Sequence, residues 1–74
     1  MKECKIRLGV EDVKEFVQKA SKCDFDIDIF YNRFIIDAKS ILGVLGLDLT
    51  QILTVQYFGD DYEFESMIRK HAVS

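Results

Sequence analysis

The chain has 74 residues, 49% of them hydrophobic, and a formal net charge of -3 at pH 7. That length holds one domain, residues 1–74, with a thin core and no room for a deep catalytic cleft, and the apolar share is too high for disorder. An acidic chain without a basic stripe excludes a nucleic-acid backbone as partner, and no apolar run approaches the ~20 residues that cross a bilayer.

The first residues, Met1-Lys2-Glu3-Cys4-Lys5, contain no signal-peptide core, so a cytoplasmic location without membrane attachment is expected. Cys4, Ile6 and Leu8 alternate with Glu3, Lys5 and Arg7, which predicts a half-buried strand ended by Gly9. Cys4 shares the apolar face and reads as a core thiol. Neither it nor Cys23 has metal-ligand spacing, so both are expected free. Val10, Val13, Phe16, Val17 and Ala20 then fall at helical spacing, with acids in the first turn and lysines near the end, matching the helix dipole.

Asp24 to Tyr31 alternates again and predicts a second strand, with Phe25, Ile27, Ile29 and Tyr31 on one face and three aspartates on the other. Asn32-Arg33 predicts a tight turn with positive φ at Asn32, and Phe34-Ile35-Ile36 a third strand. Ser40 reads as the N-cap of a short central helix that carries Ile41, Leu42, Val44 and Leu45 and stops at Gly46. A helix this short must dock to persist, and it holds more apolar residues than one docking face needs, so some are expected to face a partner. After a connection from Asp48 to Gln51, Ile52 to Phe58 predicts a fourth strand with Leu53, Val55 and Tyr57 on the core face. Gly59-Asp60-Asp61 turns the chain into a last helix with Phe64, Met67 and Ile68 inside, capped by Asp60 or Asp61. The order is βαββαβα, and helices covering one face of an antiparallel sheet make it a two-layer α+β sandwich.

Few residues offer chemistry. His71, the single histidine, sits in the last turn of the last helix, where a cation suits the dipole and no catalytic partner is evident. Asp24, Asp26 and Asp28 stand about 7 Å apart along a strand, which diverges their carboxylates, so a solvated sheet face is expected and no metal site. There is no glycine-rich phosphate loop and no nucleophile triad. No catalytic residue, cofactor or metal is expected. Ser40 explains itself as a cap, but a serine at a helix start beside an apolar patch is also a plausible phosphorylation switch.

The segments Phe16-Val17-Gln18-Lys19-Ala20-Ser21-Lys22, Asp26 to Asn32 and above all Ala38-Lys39-Ser40-Ile41-Leu42-Gly43-Val44-Leu45-Gly46-Leu47 resemble the HPr phosphocarrier family of the bacterial sugar phosphotransferase system. The last matches that family's K-S-I-[ML]-G-[VL] signature, and the resemblance covers about residues 16 to 60. It implies an HPr-like sandwich with an antiparallel four-stranded sheet, and Ser40 as the position phosphorylated by an ATP-dependent HPr kinase/phosphorylase. It also implies a partner patch of Lys39, Ile41, Leu42 and Leu45, which a catabolite-control regulator or another phosphotransferase-system protein would meet. Where the family carries its phosphorylated histidine, in a G-[IL]-H-A-R-P segment, this chain has Leu8-Gly9-Val10-Glu11-Asp12. Acids stand where a phosphoryl group needs cations and N–H groups, so a regulatory, protein-binding role without phosphohistidine is expected. The alternative is an interaction or assembly module without phosphorylation, in which partly exposed Ile52, Phe58, Phe30 and Phe34 lead to homo-oligomers; a phosphocarrier using His71 ranks last.

Overall fold

Four short alternating segments build one sheet: β1 (Lys2–Ile6), β2 (Ile27–Tyr31), β3 (Phe34–Asp37) and β4 (Leu53–Tyr57), in the order β1-β4-β2-β3 with every neighbouring pair antiparallel. The computed structural model describes residues 1–73. Three helices, α1 (Val13–Ser21), α2 (Ile41–Leu45) and α3 (Tyr62–Lys70), complete the order expected from the sequence, an α+β sandwich.

The sheet's two faces differ because side chains alternate along each strand. Ile6, Ile27, Ile29, Leu53, Val55 and Tyr57 are buried against the helices' Val13, Phe16, Val17, Ala20, Val44, Phe64, Met67 and Ile68. Aromatic rings hold the centre: Phe64 meets the Tyr57 ring edge-on at 5.4 Å and Phe16 at 6.1 Å between centroids. The Phe25 ring stacks on Tyr57 at 5.9 Å and closes over Gly59, whose φ of 156° and lack of a Cβ leave room for it.

The helix ends follow local chemistry. Asp61, in extended conformation, accepts the Phe64 N–H at 2.8 Å and caps α3. Asn32 has φ 54° at the first position of the two-residue β2–β3 loop, as its side chain permits. The α2 helix ends at Gly46, but with φ -78°, so the stop does not use the left-handed conformation that glycine commonly supplies. Past α3, the Ala72 backbone bridges Ile6, with the Val73 N–H on the Lys5 carbonyl at 2.9 Å and the Arg7 N–H on the His71 carbonyl at 3.0 Å, so the C-terminal end of β1 is covered on its outer edge.

Three expectations are corrected. Val10 does not lie on the buried face of α1: residues Val10–Asp12 form a separate 3-10 turn and Val10 is 69% exposed. The tighter turn advances the chain by three residues per turn, which rotates position 10 off the stripe set by Val13, Phe16 and Val17. The second strand begins at Ile27, so Asp24 and Asp26 lie in the bend before it and only Asp28 stands on the sheet. Cys4 is half-buried at the edge strand, whereas Cys23 is buried; both thiols are free.

Candidate functional site

The central helix is presented by the end of the β2–β3 hairpin. Ala38 is fully buried and its N–H reaches back to the Ile27 carbonyl at 2.9 Å, which fixes the chain as it leaves the sheet. Asp37 then organises the turn: its carboxylate accepts the Lys39 N–H at 2.9 Å and its carbonyl accepts the Ser40 N–H at 3.0 Å. Ser40 is extended, with φ -98° and ψ 106°, and its Oγ accepts the Gly43 N–H at 3.1 Å while its carbonyl accepts the first α2 bond from Val44 at 3.0 Å. The serine is thus the N-cap, as expected, and it is solvent-exposed.

Val44 anchors α2 by itself; it is the single buried residue of that helix. Ile41, Leu42 and Leu45 turn outward, 44%, 81% and 45% exposed, and span an arc of about 100° on the helix. Beside them a shallow, largely apolar cleft of about 310 Å³ runs between α2 and β3, walled by Tyr31, Phe34, Ile36, Leu42 and Leu47. Phe34 is also exposed. The structure therefore brings Ser40, Ile41, Leu42 and Leu45 into one accessible patch.

Lys39 is directed elsewhere. Its Nζ donates to the Cys23 carbonyl at 2.9 Å, tying the α2 entry to the end of α1. Sequence spacing places Lys39 beside Ser40 but gives no sign of this bond, because its acceptor is a backbone atom sixteen residues away.

The β1–α1 connection is folded on itself. The Gly9 N–H donates to the Asp12 carboxylate at 2.9 Å and the Asp12 N–H donates to the Gly9 carbonyl at 3.0 Å. That carboxylate occupies a backbone donor that an incoming anion would need, and Glu11 stands exposed beside it. His71 lies at the opposite chain end, as the residue closing α3, half-buried and with its carbonyl bound to Arg7. Among the described residues no group of three His, Cys, Asp or Glu side chains converges for a metal, and no helix is long and apolar enough to cross a membrane.

A second polar cluster escapes sequence reasoning. The Tyr57 hydroxyl donates to Glu65 Oε2 at 2.7 Å, Lys2 Nζ donates to the same oxygen at 3.0 Å, and Lys2 also pairs with Asp60. Burial, then the Glu65 bond and charge, push the Tyr57 phenol far above its ordinary value; the Tyr57 and Lys2 bonds hold Glu65 below the usual carboxylate range. These groups join β1, β4 and α3 and bind the layers together.

No protein-family model matches the chain, and comparison with curated proteins gives no match. Solved structures do match. HPr-C-His from Thermoanaerobacter tengcongensis superposes with TM-score 0.76 at 28% identity, over 95% of this chain and 89% of the other. The phosphocarrier protein HPr from Bacillus anthracis str. Ames gives TM-score 0.68 at 25% identity, over 95% and 93%. Crh, the Bacillus subtilis catabolite repression containing protein, whose structure is a domain-swapped dimer, gives 0.65 at 21% identity, over 95% and 88%.

Proposed function

From an HPr-like fold, we propose that this chain is a non-catalytic, phosphocarrier-related protein that works by docking through α2, with Ser40 as its phosphorylation switch. The observation that supports it best is the exposed Ser40 flanked by exposed Ile41, Leu42 and Leu45 on a helix whose one buried residue is Val44. Apolar side chains left outside a small core are a recognition surface. A phosphate on Ser40 would add about two negative charges at the edge of that surface and change which partners it accepts. The Lys39 ammonium beside it already spends one of its three donors on the Cys23 carbonyl.

Phosphohistidine transfer does not suit the chain. The connection after β1 holds Gly9, Val10, Glu11 and Asp12 in place of an imidazole, and Asp12 takes the Gly9 N–H. A phosphoryl group there would meet like charge. His71 offers one imidazole at the end of α3, with no cradle of donors described around it.

The test is intact mass after incubation with ATP and an HPr kinase/phosphorylase, in parallel with Ser40→Ala. Gain of one phosphate by the parent chain only is the expected result; equal phosphorylation of both chains, or of neither with kinases from several hosts, removes the switch. The second outcome favours the interaction module without phosphorylation, a reading supported by Ser40 already being satisfied as a cap and Lys39 already being bound.

A further inference from the structure

The face of the sheet that no helix covers carries a sorted pattern of charge. Strand register aligns Lys5, Thr54, Phe30 and Ile35 in one row across the four strands. The next row on the same face is Glu3, Gln56, Asp28 and Asp37. Arg7 and Ile52 continue the face beyond the first row, and Arg33 stands exposed in the hairpin loop at that end. Arg7 and Arg33 therefore stand at one end of the sheet and the acids at the other, with Lys5, exposed Ile35 and Ile52 and half-buried Phe30 between and beside them.

Among the described residues none of these charges is held in an ion pair. The ion pairs among the described residues are those of Lys2 with Asp60 and Glu65 and of Lys19 with Glu63. Arg7 donates to a neutral group, the Thr50 carbonyl, at 3.1 Å. Asp28 stands directly opposite Asp37 across the β2–β3 pair, an arrangement that costs stability in an isolated sheet.

We propose that this open face docks a second copy of the chain, sheet against sheet. A two-fold axis running across the strands through the Phe30 row turns one copy so that its acidic row lies over the basic end of the other. Glu3 then faces the copy's Arg7 and Asp37 the copy's Arg33, while the axis row meets itself: Phe30 and Ile35 pack on their counterparts and Lys5 stands beside the copy's Lys5, one like-charge contact against four opposite-charge ones. Each ion pair occurs twice, as an isologous contact requires. An axis along the strands does not do this, because it sets Glu3 against Asp37. Four strands about 4.8 Å apart and five residues long give a patch of about 19 by 17 Å, smaller than the ~800 Å² per partner of a standard interface. The dimer is therefore weak, and its exposed pairs are screened by salt.

Sedimentation velocity over a concentration series, at low and high salt, tests this. A dimer that grows with concentration, shrinks with salt and exchanges rapidly on dilution is expected. Glu3→Arg and Arg7→Glu should each weaken it at least about tenfold, because each substitution reverses both copies of the pair, while E3R/R7E, which exchanges the two charges, should restore it. Circular dichroism identical to the parent's shows that each variant is folded. A monomer throughout at low salt overturns the proposal. So does a dimer that ignores both reversals, one that Leu42→Asp abolishes, or a slowly exchanging, strand-swapped dimer.

Discussion

Gly43 and Ile36 meet so closely across the seam between α2 and β3 that a Cβ at position 43 would stand 2.9 Å from Ile36 Cγ2, and 3.1 Å from Ser40 Oγ. Alanine in mid-helix normally gains about 1 kcal/mol over glycine, but overpacking costs about 1–3 kcal/mol. Gly43→Ala should therefore lower stability by about 1 kcal/mol in urea unfolding. In an Ile36→Ala background the same change should become neutral or stabilising, because the obstructing methyl is gone.

Two side chains close helix starts in the same way, and the two helices should respond differently. Ser40→Ala removes the acceptor of the Gly43 N–H and Asp61→Ala that of the Phe64 N–H; each should cost about 1 kcal/mol. Hydrogen exchange separates them. Loss of the Ser40 cap should free the α2 amides with little change elsewhere, since α2 has five residues and one buried anchor. Loss of the Asp61 cap should lower protection throughout, because α3 carries Phe64, Met67 and Ile68 into the core.

The Tyr57–Glu65 bond makes stability depend on pH at both ends of the scale. The unfolded chain releases the Tyr57 proton near pH 10 while the folded chain keeps it, so the unfolded state binds fewer protons and stability falls as pH rises above 10.0. Glu65 acts in the opposite sense: its stabilising contribution is present above its ordinary value of 4.5 and is lost as pH falls below it. Tyr57→Phe should cost about 1.5 kcal/mol at neutral pH. Urea midpoints measured from pH 3 to 11 should show the gap between the two chains closing at both extremes.

Adjacent positions on α2 should separate recognition from folding. Leu42, 81% exposed, should accept aspartate within about 0.5 kcal/mol of the parent's stability. Val44→Ala, at a fully buried position, should cost about 2 kcal/mol. If α2 is the docking surface, Leu42→Asp should abolish partner binding in calorimetry while leaving the thermal midpoint in place.

Period-two and period-3.6 patterns carried most of the fold, because a small sandwich has one inside and each element shows it one stripe. Leu53, Val55 and Tyr57, or Phe64, Met67 and Ile68, are buried as their spacing requires. The patterns misled where geometry changed without a change in composition. Val10 is apolar and correctly spaced for an α-helix, but the chain makes a 3-10 turn there. Asp24 and Asp26 continue the alternation of β2 outside the ladder. At the candidate site Ser40 and its apolar neighbours were legible, since a cap and a surplus of hydrophobic residues are local signals. The Lys39 bond to the Cys23 carbonyl was not, nor was the Lys2–Glu65–Tyr57 cluster. Both join distant segments through single polar atoms that no spacing encodes.

The bridge from Ala72 to Ile6 bears on how the protein behaves when crowded. With Val73 and His71 bonded to the backbone of Lys5 and Arg7, a passing extended chain finds that end of the sheet's border already paired. The other border, β3, is four residues long, and the carbonyl of its last residue, Asp37, is taken by Ser40. The covered end of β1 and the four-residue length of β3 shorten the backbone that each border leaves open, so concentrated solutions should be slow to form cross-β fibrils.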